Sequence, residues 1–152
     1  MTTPRSTPRS SARRTALGLA LAAGLTFVGA CSMFMRMPAE QEFGRERTST
    51  TGLYRAVIRP DGDSIPVGKL QRWTLHLETA EGAPLDSATV SVDGGMPQHG
   101  HGLPTKPAVT ASLGNGDHRV DGMKFNMTGW WVVKFRVQSA MGADSVVFNL
   151  KL

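Results

Sequence analysis

The stretch Met96-Pro97-Gln98-His99-Gly100-His101-Gly102 puts a thioether and two of the chain's four histidines on one glycine-rich segment. Neutral imidazole suits copper, zinc and nickel, and an added thioether tilts the choice toward Cu(I). In an extended segment residues two apart point the same way, so His99 and His101 could face one centre, and the glycines permit other approaches. Met127 or Met123 could supply a further sulfur donor. The alternative use of the same residues is structural: the histidines hydrogen-bond the backbone of a tight loop and Met96 is simply buried. The residues alone leave both readings open.

The second chemically distinctive residue is Cys31, the only cysteine. Arg5, Arg9, Arg13 and Arg14 precede an apolar run from Thr15 to Ala30, a charged start and a hydrophobic segment of the kind that directs export. The run falls short of the ~20 apolar residues that span a bilayer. Val28-Gly29-Ala30-Cys31 resembles a bacterial lipobox, which implies cleavage before Cys31 and lipidation of its thiol. Two acyl chains already anchor a protein stably, so the mature chain is expected to be held on a membrane through Cys31, with its domain in the periplasm. Ser32 rather than Asp after the cysteine favours the outer membrane over the inner.

Loss of residues 1–30 removes four of the seventeen Lys and Arg and no acid, leaving thirteen bases against twelve acids. The charge of +5 thus falls to +1, and the chain gives no support to a nucleic-acid partner. Catalysis is not expected either. Asp117-His118 lies at a glycine-rich turn with no nucleophile motif beside it, and the single cysteine is committed to lipid.

Positioning of the Met-His segment falls to strands. Residues 31–50 carry Pro38, scattered charges and no sustained period, which predicts a tether; Met33, Met35 and Met37 within it read as apolar contacts to the membrane interface. From 51 to 152 the period is two. Leu53–Ile58, Leu70–Thr79, Ala88–Asp93, Ala108–Leu113, His118–Met127 with a bend at Gly122, Trp131–Val137 and Val146–Leu150 predict about seven strands separated by turns such as Gly114-Asn115-Gly116-Asp117. No segment has the 3.6-residue spacing of an amphipathic helix. The expected fold is all-β, a small antiparallel immunoglobulin-like β-sandwich without a disulfide, with Trp73 and Trp131 anchoring its core.

Met96-Pro97-Gln98-His99-Gly100-His101-Gly102-Leu103-Pro104-Thr105, followed by Gly122-Met123-Lys124-Phe125-Asn126-Met127-Thr128-Gly129-Trp130-Trp131, resembles the YtkA-like/FixH-like family of envelope proteins over about Leu53 to Leu152. The resemblance implies a small β-sandwich linked to copper handling or cytochrome oxidase assembly. It carries its motifs onto Met96, His99, His101, Phe125, Met127, Gly129 and Trp131. Thr128 stands where proline is common, and Asn126 where some members have histidine. On this reading one copper ion, Cu(I) by preference, is held by His99, His101, Met96 and Met127 and exchanged with a donor or acceptor protein. A rival expectation is a lipid-tethered interaction module in which an exposed Trp130, with Met123 and Met127, contacts a protein partner.

Overall fold

The computed structural model describes residues 42–152. The signal segment 1–30, Cys31 and the methionines of the tether lie outside the described residues. Among the described residues nine strands form, all paired antiparallel: β1 (Glu46–Thr48), β2 (Tyr54–Pro60), β3 (Gln71–Thr79), β4 (Thr89–Met96), β5 (His101–Gly102), β6 (Ala108–Gly114), β7 (Asp117–Met123), β8 (Trp130–Ser139) and β9 (Gly142–Lys151). Among the described residues no helix is long and apolar enough to cross a membrane.

The seven anticipated strands are all present, and two short ones join them. β1 lies within the segment expected to be tether: Glu46 pairs with Val57 and Thr48 with Arg55, so the ordered domain begins earlier than residue 51. β5 is the return arm of the Met-His segment, with Met96 opposite His101. Neither has enough residues to establish a period of its own, so each depends on pairing with a longer neighbour.

Spatial order runs β1-β2-β3-β7-β6-β4-β8-β9, with β5 on β4. A single pairing, Ser91 with Ala108, joins β6 to β4, so the sheet divides there into two halves. The halves share one core. Tyr54, Ile58, Trp73, Leu75, Leu77 and Val120 from one side meet Val133, Phe135, Val137, Val146 and Phe148 from the other, all at most 1% exposed. These are the period-two positions, so the alternation seen in the sequence is the alternation of core and solvent faces. On the far side Thr50 donates its amide to the Ser145 carbonyl at 2.9 Å, bringing the chain after β1 against β9 and nearly closing the sandwich into a barrel.

Local chemistry explains the corners. Asn115 and Gly116 have φ of 54° and 78°, the paired positive values of a two-residue hairpin turn. A Cβ on Gly116 would lie 2.4 Å from the Leu77 carbonyl oxygen. The bend expected at Gly122 is a bulge: Gln71 pairs with Met123 and Arg72 with Asp121, leaving Gly122 unpaired at φ 86°.

Candidate metal-binding hairpin

Met96 ends β4, and the chain turns through Pro97-Gln98-His99-Gly100 before β5 pairs back. The His99 amide donates to the Met96 carbonyl at 3.1 Å, a β-turn with proline at the position its fixed φ favours. Under the hairpin the backbones are too close for side chains. A Cβ on Gly94 would stand 2.3 Å from the Val132 oxygen and one on Gly95 2.1 Å from the His101 oxygen. Pairing on both sides of β4 therefore fixes the base from which the histidines project.

Both imidazoles are exposed. Their centroids lie 6.0 Å apart with 29° between the ring planes. A shallow groove of about 380 Å³ is lined in part by His101 together with Asp93, Pro97 and Lys134. No hydrogen bond from either imidazole to the backbone is found among the described residues, so the structural alternative for the pair finds no partner atoms there.

The thioethers separate into two kinds. Met96 is 1% exposed, and a Cβ on Gly129 would lie 2.8 Å from its methyl carbon. Its sulfur-bearing chain thus runs under the hairpin into the core, away from the exposed rings, because a flexible apolar side chain gains more from filling the space over Gly129 than from facing water. Met123 is fully buried. Met127, at 39% exposure, is the only one of the three open to solvent.

The loop of Met127 is held from inside. Phe125 sits between the two halves of the sheet, 5.8 Å from the Trp73 ring and 5.2 Å, edge-on, from Trp131. The Trp131 indole donates to the Met127 carbonyl at 3.0 Å, and the Gly68 amide donates to the Phe125 carbonyl at 2.7 Å. Gly129, at φ 129°, returns the chain toward β8 while leaving room for Met96. The Phe-x-Met-x-Gly-x-Trp segment is therefore a plug that seats its loop against the underside of the Met-His hairpin.

Trp130 does not occupy the exposed position expected of it. It is 8% exposed, and its indole donates to Asn149 Oδ1 at 3.0 Å, fastening β8 to β9. An indole laid along the neighbouring strand satisfies its N–H and covers apolar area together, which a projecting ring cannot do. With Met123 in the core as well, the partner-binding patch drawn from Trp130 and Met123 is not a surface of this domain.

Two polar clusters escaped the sequence analysis. His76 Nδ1 lies 2.7 Å from Asp117 Oδ1 and its Nε2 3.2 Å from Glu78, while Arg59 reaches the same Asp117 oxygen at 2.7 Å. Period two does put His76 and Glu78 on one strand face; Asp117 is 41 residues from His76 and gave no signal. His118 is buried and donates Nε2–H to the Leu85 carbonyl at 2.7 Å, a core role. Asp144 is the other case. Burial pushes its carboxyl upward, but hydrogen bonds from the Ser49 and Thr51 side chains and from the Ser145 and Thr51 amides outweigh that and hold it well below the usual carboxylate range.

Comparison with known proteins agrees with the motifs. No curated protein matches the chain. Among solved structures the ZirS C-terminal domain is similar at 13% identity with a TM-score of 0.37, covering 95% of this chain and 99% of that one, a likeness too slight to support any argument. The YtkA-like family model matches residues 54–136, more than half the chain and the span containing the hairpin, the plug and most of the core. The chain belongs to the YtkA-like family.

Proposed function

We propose that this protein is a bacterial cell-envelope lipoprotein whose YtkA-like domain binds one copper ion, Cu(I) by preference, on the exposed hairpin and passes it to an acceptor protein. The carrying observation is the separation of the two imidazoles, 6.0 Å between centroids. With metal–nitrogen bonds of about 2.0 Å and a ring radius of about 1.1 Å, two imidazoles on one ion have centroids roughly 5–6 Å apart. Among the described residues no group of three or more His, Cys, Asp or Glu could hold a metal. A two-imidazole set supplemented by a thioether is too poor in ligands for a closed structural zinc site and suits Cu(I) better.

His99 and His101 are the nitrogen ligands in this reading, and Met127 is the thioether on the adjoining loop. Met96 supports the hairpin from below. The role is non-catalytic: the ion is cargo, held on an exposed turn from which an acceptor can take it. Lipid on Cys31, inferred from the lipobox, confines the domain to the periplasmic surface of a membrane, the outer one favoured.

Cu(I) affinity of the purified protein, by competition with a chromophoric chelator, tests the reading beside the His99→Ala/His101→Ala variant. One equivalent bound by the parent and lost in the variant, with the apo thermal midpoint unchanged, supports it. Equal uptake by both proteins sinks it.

A further inference from the structure

The sandwich has two dissimilar ends. At one lie the start of the described chain, Glu42 to Arg45, the loop 61–70, the Met-His hairpin with its continuation to residue 107, and the loop 124–129. Cross-links hold these together: the Ile58 amide donates to the Arg45 carbonyl at 2.8 Å, Gly68 to Phe125 at 2.7 Å, and Thr105 Oγ1 to the Gly122 carbonyl at 2.6 Å. The other end consists of the turns at 49–53, 80–88, 115–116 and 140–141.

Chain length restricts which end can meet a membrane. From Cys31 to Glu42 the backbone spans at most about 40 Å when fully extended. The ten residues of β9 make the sandwich about 33 Å long. Placing the far end on the membrane would stretch the tether almost straight along the whole domain, at a large cost in chain entropy. Placing the near end on the membrane would ask for no such extension.

That end also has the surface for it. Leu70 is 68% exposed, the most exposed large apolar side chain among the described residues, and Val67 stands beside it in the same loop at 38%. Lys69, Lys106 and Lys124 belong to the same group of loops, and none forms an ion pair among the described residues. Of the three acids there, Glu42 is paired with Arg47 at 3.2 Å, Asp61 lies close enough to Arg72 to raise the Arg72 pKa, and Asp63 is the third. The loops of the opposite end contain Glu81 and Asp86 and no Lys or Arg. Apolar side chains flanked by lysines are the composition that settles into a headgroup layer, the lysines meeting phosphate.

We propose that this end of the sandwich rests on the phospholipid surface, with Val67 and Leu70 in the interface and Lys69, Lys106 and Lys124 on headgroup phosphates, so that the Met-His hairpin faces the bilayer rather than the periplasmic space. The inference rests on the lipid-anchored reading and is independent of copper.

The test uses the protein as purified from cells, carrying a photoreactive phenylalanine analogue at Leu70 or, as control, at Met141, which is 44% exposed at the opposite end. Each form is mixed with vesicles of phosphatidylethanolamine and phosphatidylglycerol and irradiated, and lipid adducts are measured. The expected result is on the order of tenfold more adduct from position 70, with a decrease when phosphatidylglycerol is replaced by neutral lipid. Vesicle-bound protein with equal adducts from both positions overturns the orientation and leaves the anchored reading standing. Protein that does not associate with vesicles overturns both.

Discussion

Replacing Asp144 with alanine removes a carboxylate that holds the chain after β1 onto β9. Its Oδ2 accepts from the Thr51 amide at 2.9 Å and the Thr51 hydroxyl at 2.6 Å, and Oδ1 accepts from the Ser145 amide at 2.7 Å. Hydrogen bonds to a charged acceptor contribute about 1.5–3 kcal/mol each when shielded. Asp144 is 9% exposed but Thr51 faces solvent, so water recovers part of what is lost, and about 2–3 kcal/mol is the expected net cost. For a domain of this size that lowers the thermal midpoint by roughly 10 °C at pH 7. The folded-state pKa of Asp144 lies below its unfolded value of about 3.9, so its stabilising effect is complete above that pH and is lost as pH falls through the folded value. The gap between parent and Asp144→Ala should therefore narrow steadily from about pH 4 toward pH 2. Thermal unfolding followed by circular dichroism across pH 2–7 measures both effects. A midpoint unchanged at pH 7, or a gap of constant size down to pH 2, would refute the reasoning.

Other perturbations separate structure from site. Met127→Ala should weaken Cu(I) binding in the chelator competition while leaving the apo thermal midpoint within about 2 °C, because the side chain is substantially exposed. Met96→Ala should do the reverse, costing about 2–4 kcal/mol in denaturant unfolding through the cavity left over Gly129, with Cu(I) affinity changed far less. Gly116→Ala places a Cβ 2.4 Å from the Leu77 oxygen at a positive φ, and chemical denaturation should register a loss of about 2 kcal/mol or more.

Most of the fold was legible because burial and period coincide. Trp73, Leu75 and Leu77, or Val133, Phe135 and Val137, alternate along strands long enough for the pattern to stand out, and each set lines the core. β1 and β5 were not legible, since three and two residues cannot display a period. At the site, His99 and His101 could be read as a pair from their spacing. The depth of Met96 could not, because it depends on Gly129, thirty-three positions later and adjacent only once β4 and β8 have paired. Trp130 misled for a related reason: alternation assigns it to the solvent side, and the acceptor that draws it down, Asn149, comes from another strand. Asp144 gave no sign of its importance, for the Thr51 groups that it holds lie some ninety residues away.

The single pairing between Ser91 and Ala108 has a kinetic consequence. β8 is laced to β9 along its length and to β4 from Thr89 to Gly95, whereas β4 and β6 are held side by side at one point. Amides bordering that junction have little cross-strand protection, so local opening there costs less than opening inside either half of the sheet. The segment that bridges the junction is 97–107, which contains the hairpin turn and both of its histidines. The fold thus places a sparsely paired boundary beside its most exposed imidazoles, and amides bordering it should exchange ahead of those in the plugged, aromatic-filled interior.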